Sequence, residues 1–119
     1  MTPVDLATRT TEFALRVVKL YSALPKRTEA QVFGKQLLRC GTSVGAHYRE
    51  AKRAKSDLDF ISKIEGALQE LDETSYWLEL IERSEIIRAQ RLAALRNETV
   101  ELTKILVTVT KRVKQRVKE

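Results

Sequence analysis

Residues 56–81 read Ser56-Asp57-Leu58-Asp59-Phe60-Ile61-Ser62-Lys63-Ile64-Glu65-Gly66-Ala67-Leu68-Gln69-Glu70-Leu71-Asp72-Glu73-Thr74-Ser75-Tyr76-Trp77-Leu78-Glu79-Leu80-Ile81. Phe60, Ile64, Ala67, Leu71, Thr74, Leu78 and Ile81 recur at alternating steps of four and three, the period of one face of a helix packed in a bundle. Ser56 followed by Asp59 is a capping-box pattern that opens this helix, and the periodicity predicts that it ends near Arg83. A second apolar row, Leu58, Ile61, Leu68 and Trp77 with Leu80 beyond, predicts burial on two faces. Such a surplus on a small domain points to self-association, with a wider monomeric core as the alternative.

Similar seams flank this segment on both sides. Leu6, Thr10, Phe13, Val17, Leu20 and Leu24 predict a first helix over about Asp5 to Ala23, which Pro25 cannot continue. Thr28, with Gln31 at the reciprocal position, is the expected cap of a second helix. The apolar face expected for that helix is Val32, Phe33, Leu37, Cys40, Val44, Tyr48 and Ala51. The fourth helix is expected to begin between Ser84 and Arg88, with the seam Leu92, Leu95, Thr99, Leu102, Leu106, Val109 and Val113. The chain has two prolines and four glycines, with no proline after Pro25, so the punctuation that strands and hairpins need is missing. Long helices joined by short connections make sequential neighbours antiparallel. The expected fold is all-α: a single left-handed, up-down-up-down four-helix bundle over residues 1–119.

Composition narrows the function classes. The single cysteine, Cys40, excludes an internal disulfide and a cysteine-rich zinc site, and fits a reducing, cytoplasmic location. No apolar run approaches the roughly 18 residues of a membrane span, so no membrane partner is expected. The net charge is +6, but it is unevenly placed. Residues 1–55 hold 11 Lys/Arg against 4 Asp/Glu, residues 56–85 hold 2 against 9, and residues 86–119 hold 9 against 3. An acidic helix between basic ones is explained either by packing complementarity or by a basic outer surface for an acidic partner.

No constellation for catalysis emerges. His47, the only histidine, has Glu50 and Ala51 at the spacings a metal site would use, and one carboxylate is not enough. Ser43, four residues before it, lacks an oxyanion hole and an orienting group. Cys40 falls on the apolar face, where a small core residue is expected. No enzyme activity and no cofactor or metal site are expected.

Two basic clusters are the candidate nucleic-acid contacts. Lys111, Arg112, Lys114, Arg116 and Lys118 place five cations in eight residues, more than a helix C-terminus needs to complement its dipole. Arg49, Lys52 and Arg53, with Lys55, form the other, at the end of the second helix. No aromatic residue interleaves with the tail cations, so the expected binding is to phosphates, sensitive to salt and weakly specific for sequence. Within the hairpin of the second and third helices, Arg49 reaches Glu65 more easily than Asp72 or Glu73, and a contact with either of those is expected between subunits.

Gly41 and Gly45 interrupt the second helix at a cost of about 1 kcal/mol each relative to Ala. Their spacing puts both on one face, where a neighbouring backbone can approach closely. A phosphate loop is disfavoured because no Lys-Ser/Thr follows Gly45. Tyr76 and Trp77 are adjacent, so they face different directions, one toward the core and the other toward an interface.

Cys40 to Ala51, containing Gly41-Thr42-Ser43-Val44-Gly45-Ala46-His47-Tyr48-Arg49, resembles an element of the bacterial four-helix bundle proteins related to those encoded in 23S rRNA intervening sequences, the S23 proteins. Glu70 to Ile81, with Glu73, Tyr76 and Trp77, resembles that family's third-helix element, and Arg53 to Ile61 also fits. His47 departs from the Asn that is frequent there. The resemblance implies a ring of subunits, a pentamer, and kinship with basic accessory rings of diversity-generating retroelements that work with nucleic acid. The expected partners are therefore further copies of the chain together with RNA or DNA. A protein-interaction scaffold is the alternative.

Overall fold

A computed structural model describes residues 5–118. Four helices follow one another: α1 (Leu6–Ser22), α2 (Thr28–Lys52), α3 (Asp57–Arg83) and α4 (Ala89–Lys118), with no strand among the described residues. Side-chain registers fix the directions. Gly45 lies on Thr10 and Gly41 on Val17 between α1 and α2, and Cys40 meets Thr74 while Glu50 meets Lys63 between α2 and α3. Glu82 meets Arg96 and Asp57 meets Arg116 between α3 and α4. Each pair of numbers rises on one helix as it falls on the next, so the order is up-down-up-down. Helices α1 and α3 stand diagonally across the bundle, as do α2 and α4.

The core follows the predicted seams closely. Phe13, Val17, Leu37, Val44, Ile64, Leu71, Leu78, Leu92, Leu102 and Leu106 are fully buried. Thr10, Thr74, Thr99 and Thr110 are buried with them, each hydroxyl donating to the carbonyl four residues earlier, so no donor is stranded. Burial of Thr110 corrects the predicted seam of α4, in which Val109 held that place and proves only half-buried. On α2, Val32 is exposed rather than part of the apolar face. Ala30, Gly34, Gly41 and Gly45 are buried instead, because α1 approaches so closely that only small residues fit beneath it. The second row of α3 is partly absorbed: Ile61 is buried, Leu68, Trp77 and Leu80 are half-buried, and Leu58 is exposed.

The caps show where local chemistry prevails. Asp5 accepts from the Thr8 amide at 3.1 Å and Ser56 accepts from the Asp59 amide at 3.0 Å. The reciprocal arm of the second cap goes from the Lys55 amide to Asp59 at 3.3 Å, one residue before the expected donor. The expected Thr28–Gln31 box does not form. Thr28 is already helical, Arg27 occupies the cap position, and Gln31 is held elsewhere, donating to the Pro25 carbonyl at 2.9 Å and accepting from the Tyr21 hydroxyl at 3.1 Å. Helix α3 ends in a Schellman turn. Ile86 N–H donates to Ile81 O, Glu85 N–H donates to Glu82 O, and Glu85 takes the left-handed conformation at φ 57° that glycine usually fills.

Candidate nucleic-acid interface

Antiparallel alternation brings the C-termini of α2 and α4 to the same end of the bundle, and with them the two basic clusters. A cleft of about 500 Å³ opens there between the α2–α3 turn and the last turns of α4, lined by Tyr48, Lys52, Lys55, Asp57, Phe60 and Arg116 among others. Lys52 Nζ lies 6.0 Å from the centre of the Tyr48 ring, at the outer limit of a cation–π contact. Burial pushes the Tyr48 phenol up from its ordinary pKa.

The candidate cations differ in what they meet. Arg116 makes two hydrogen bonds to Asp57, at 3.1 and 3.0 Å, and Lys114 lies 3.2 Å from Glu65. The Arg116 guanidinium holds the Asp57 carboxyl below its ordinary range. Both cations are drawn against the acidic helix, the packing complementarity that the charge distribution allowed. Lys52, Arg53, Lys55, Lys111, Arg112 and Lys118 are exposed and form no ion pair with a described residue. Arg49 reaches neither Glu65 nor Glu73; its Nη2 donates to Thr11 Oγ1 on α1 at 3.0 Å. That partner was missed because the glycine-mediated closeness of α1 and α2 brings Thr11 within reach.

Arg39, which sequence reasoning passed over, is the arginine that meets Glu73 within the chain. It lies 3.0 Å from Glu73 and 3.5 Å from Glu70. Glu70 is buried, and burial, then a hydrogen bond with Glu73, raises its pKa, while the charge of Arg39 works in the opposite direction. The signal available in the sequence was an Arg one residue before Cys40, opposite Glu70 and Glu73 in the hairpin register that joins Cys40 to Thr74.

The remaining motif residues are packing elements. A Cβ on Gly41 would stand 2.7 and 2.9 Å from the Val17 methyls, and one on Gly45 would stand 3.1 Å from Thr10 Oγ1. Ser43 donates to the Arg39 carbonyl at 2.7 Å. His47 lies over Gly66, where a Cβ would come within 2.9 Å of its Nδ1, and that nitrogen is buried without a hydrogen-bond partner. Trp77 is half-buried against Phe33, ring centroids 6.1 Å apart, while Tyr76 turns outward and is 53% exposed. Cys40 is buried, its sulfur 3.2 Å from Thr74 Oγ1, and burial raises its pKa, which suits an unreactive thiol. Among the described residues no group of three His, Cys, Asp or Glu is placed to hold a metal, and no helix is long and apolar enough to cross a membrane.

These features define an antiparallel four-helix bundle with a glycine-packed α1–α2 pair and a basic end. Residues 4–108 match the family described as 23S rRNA-intervening sequence protein, and the chain belongs to that family. Its similarity to solved structures includes a protein of unknown function from the S23 ribosomal protein family of Bacteroides thetaiotaomicron. The two are 43% identical, with a TM-score of 0.83 over 88% of this chain and 97% of that one. No curated protein matches the chain. The densest basic segment, Lys111 to Lys118, lies outside the matched residues.

Proposed function

We propose that this chain is a non-enzymatic, self-associating protein, a ring of five as the family resemblance implies, that binds RNA or DNA through phosphates at the basic end of each bundle. The observation that carries this reading is the convergence of six exposed cations that form no ion pair with a described residue, from the end of α2, the α2–α3 turn and α4, around one end of the molecule. Helix C-termini carry partial negative charge, which one or two cations offset; six leave a surplus. The family description, which refers to 23S rRNA intervening sequences, agrees in kind with a nucleic-acid partner. The cleft presents two half-buried aromatic rings, Tyr48 and Phe60, and no run of exposed ones, so phosphates rather than bases would be read.

Binding of a structured RNA across a salt series tests the proposal. Six phosphate contacts per site would give a slope of roughly −4 to −5 in log K against log salt. Changing Lys52, Arg53, Lys55, Arg112 and Lys118 to Gln should flatten that slope and abolish most binding. Absence of binding to RNA and DNA at low salt would leave a protein-interaction scaffold as the better reading.

A further inference from the structure

Two surfaces away from the basic end are of opposite sign and lie on different helices, one between α1 and α4 and the other on α3. The first is a cleft of about 320 Å³ between α1 and α4, where the two helices stand apart. Arg16, Lys19 and Arg91 line it over a floor formed by Leu20, Ala94 and Leu95, and no acid contributes. None of the three cations forms an ion pair with a described residue. The second is a concavity of about 440 Å³ on α3, lined by Asp72, Glu73, Ser75, Tyr76, Trp77 and Glu79, with three carboxylates and no cation. Arg39 and Arg83 hold Glu73 and Glu79 from its rim, while Asp72 has no ion pair among the described residues. The exposed Tyr76 ring stands edge-on to Trp77, centroids 5.0 Å apart.

Both surfaces lie toward the end of the bundle that carries the α1–α2 and α3–α4 connections. The cleft uses the second half of α1 and the start of α4, and the concavity uses the second half of α3. We infer that the α3 concavity of one copy docks on the α1–α4 cleft of the next, Tyr76 entering over Leu20 and Leu95 while Asp72 and Glu79 face Arg16, Lys19 and Arg91. The inference rests on the self-association proposed above and supplies its geometry. Each surface carries one sign, so neither can pair with its own copy across a two-fold axis. The two share no residue, so every copy can use both at once. That is a head-to-tail contact, which closes into a ring when the rotation allows. The apolar floor and the lack of any aromatic residue in the cleft favour a protein occupant over a nucleic-acid strand there.

Two variants test this by light scattering at fixed concentration, with circular dichroism confirming the helical fold. One carries Arg16→Glu, Lys19→Glu and Arg91→Glu; the other carries Asp72→Lys and Glu79→Lys. Each alone should run as a 13.6 kDa monomer, with association weakened about tenfold or more. Mixed, they should associate into heterodimers and longer particles containing both chains, since each now offers what the other lacks, although a ring of five has an odd number of junctions and cannot close in strict alternation. A wild type that associates while either variant still associates alone overturns the docking geometry but not self-association. Monomeric variants that fail to reassemble when mixed also overturn it. A monomeric wild type at micromolar concentration removes self-association and the docking with it. Loss of RNA binding by the first variant with its assembly intact would make the cleft a nucleic-acid site and refute the inference. If a multiple variant does not fold, Arg91→Glu and Asp72→Lys, alone and mixed, carry the same comparison.

Discussion

Gly41→Ala separates close packing from every other account of the glycines in α2. An alanine in a helix interior should stabilise by about 1 kcal/mol relative to glycine. Here its Cβ would meet Val17 Cγ2 at 2.7 Å and Cγ1 at 2.9 Å, and Val17 is fully buried with no free direction to move. Overpacking of this kind costs roughly 1–3 kcal/mol, so the net effect should be a loss of about 0–2 kcal/mol instead of a gain. Val17→Ala alone should cost about 2–3 kcal/mol through lost burial and a residual cavity. The double variant should recover part of that, because the new methyl enters the space the valine vacates and the helix-propensity gain is released. The cycle should therefore show favourable coupling of about 1–2 kcal/mol, read by urea denaturation at one protein concentration. Gly45→Ala is the internal comparison: its nearest contact is 3.1 Å, to a threonine hydroxyl, so it should be closer to neutral. A Gly41→Ala protein stabilised by the full propensity term, with no coupling to Val17, would refute the packing account.

Three further outcomes follow from single contacts. Glu85→Gly should stabilise by about 0.5–1 kcal/mol, because Glu85 holds a left-handed conformation that costs a side chain roughly 1–2 kcal/mol and costs glycine mainly chain entropy; thermal melts read this directly. Arg39→Gln should destabilise by about 1 kcal/mol at pH 7, a figure discounted for the half-exposed guanidinium, by leaving buried Glu70 beside Glu73 without a cation. Because folding raises the pKa of Glu70, its proton favours the folded state. The loss should therefore shrink as pH falls from 7 through that raised value toward 4.5, and melts at pH 7 and 5 should show the difference narrowing. Arg9→Ala should cost about 1–2 kcal/mol, since its 2.7 and 2.8 Å bonds to the largely buried Glu98 clasp α1 to α4 beside their cleft. Folding lowers the pKa of Glu98, so this contribution is present above the ordinary carboxylate range and lost as pH falls through the lowered value.

The seams of α1 and α3, and that of α4 except at Val109, were legible because a four-three apolar repeat has one structural solution, and the chain has no proline after Pro25 to break it. Less legible was α2, where Gly34, Gly41 and Gly45 form the buried face: a helix packed through missing side chains leaves no hydrophobic signal, so Val32 was assigned inward in error. The Schellman turn at Glu85 was hidden for the opposite reason, since an acidic side chain stands where glycine would have announced it. Charge pairing was legible only in bulk. Acidic α3 does draw Lys114 and Arg116, but which arginine reaches Glu73 depends on a register that only the packed hairpin fixes. Membership of the family was legible from the Gly41–Ala51 and Glu70–Ile81 elements together. In the structure Cys40, directly before the first of these elements, meets Thr74 of the second, and Arg39 before it pairs with Glu70 and Glu73.

The salt dependence of RNA binding by the wild-type protein, beside the variant with Lys52, Arg53, Lys55, Arg112 and Lys118 changed to Gln, tests the proposed function most directly. Phosphate recognition by the basic end predicts binding at low salt, a steep linear fall of log K with log salt, and a much shallower line for the variant. Equal lines for the two proteins, or no binding by either, would contradict it.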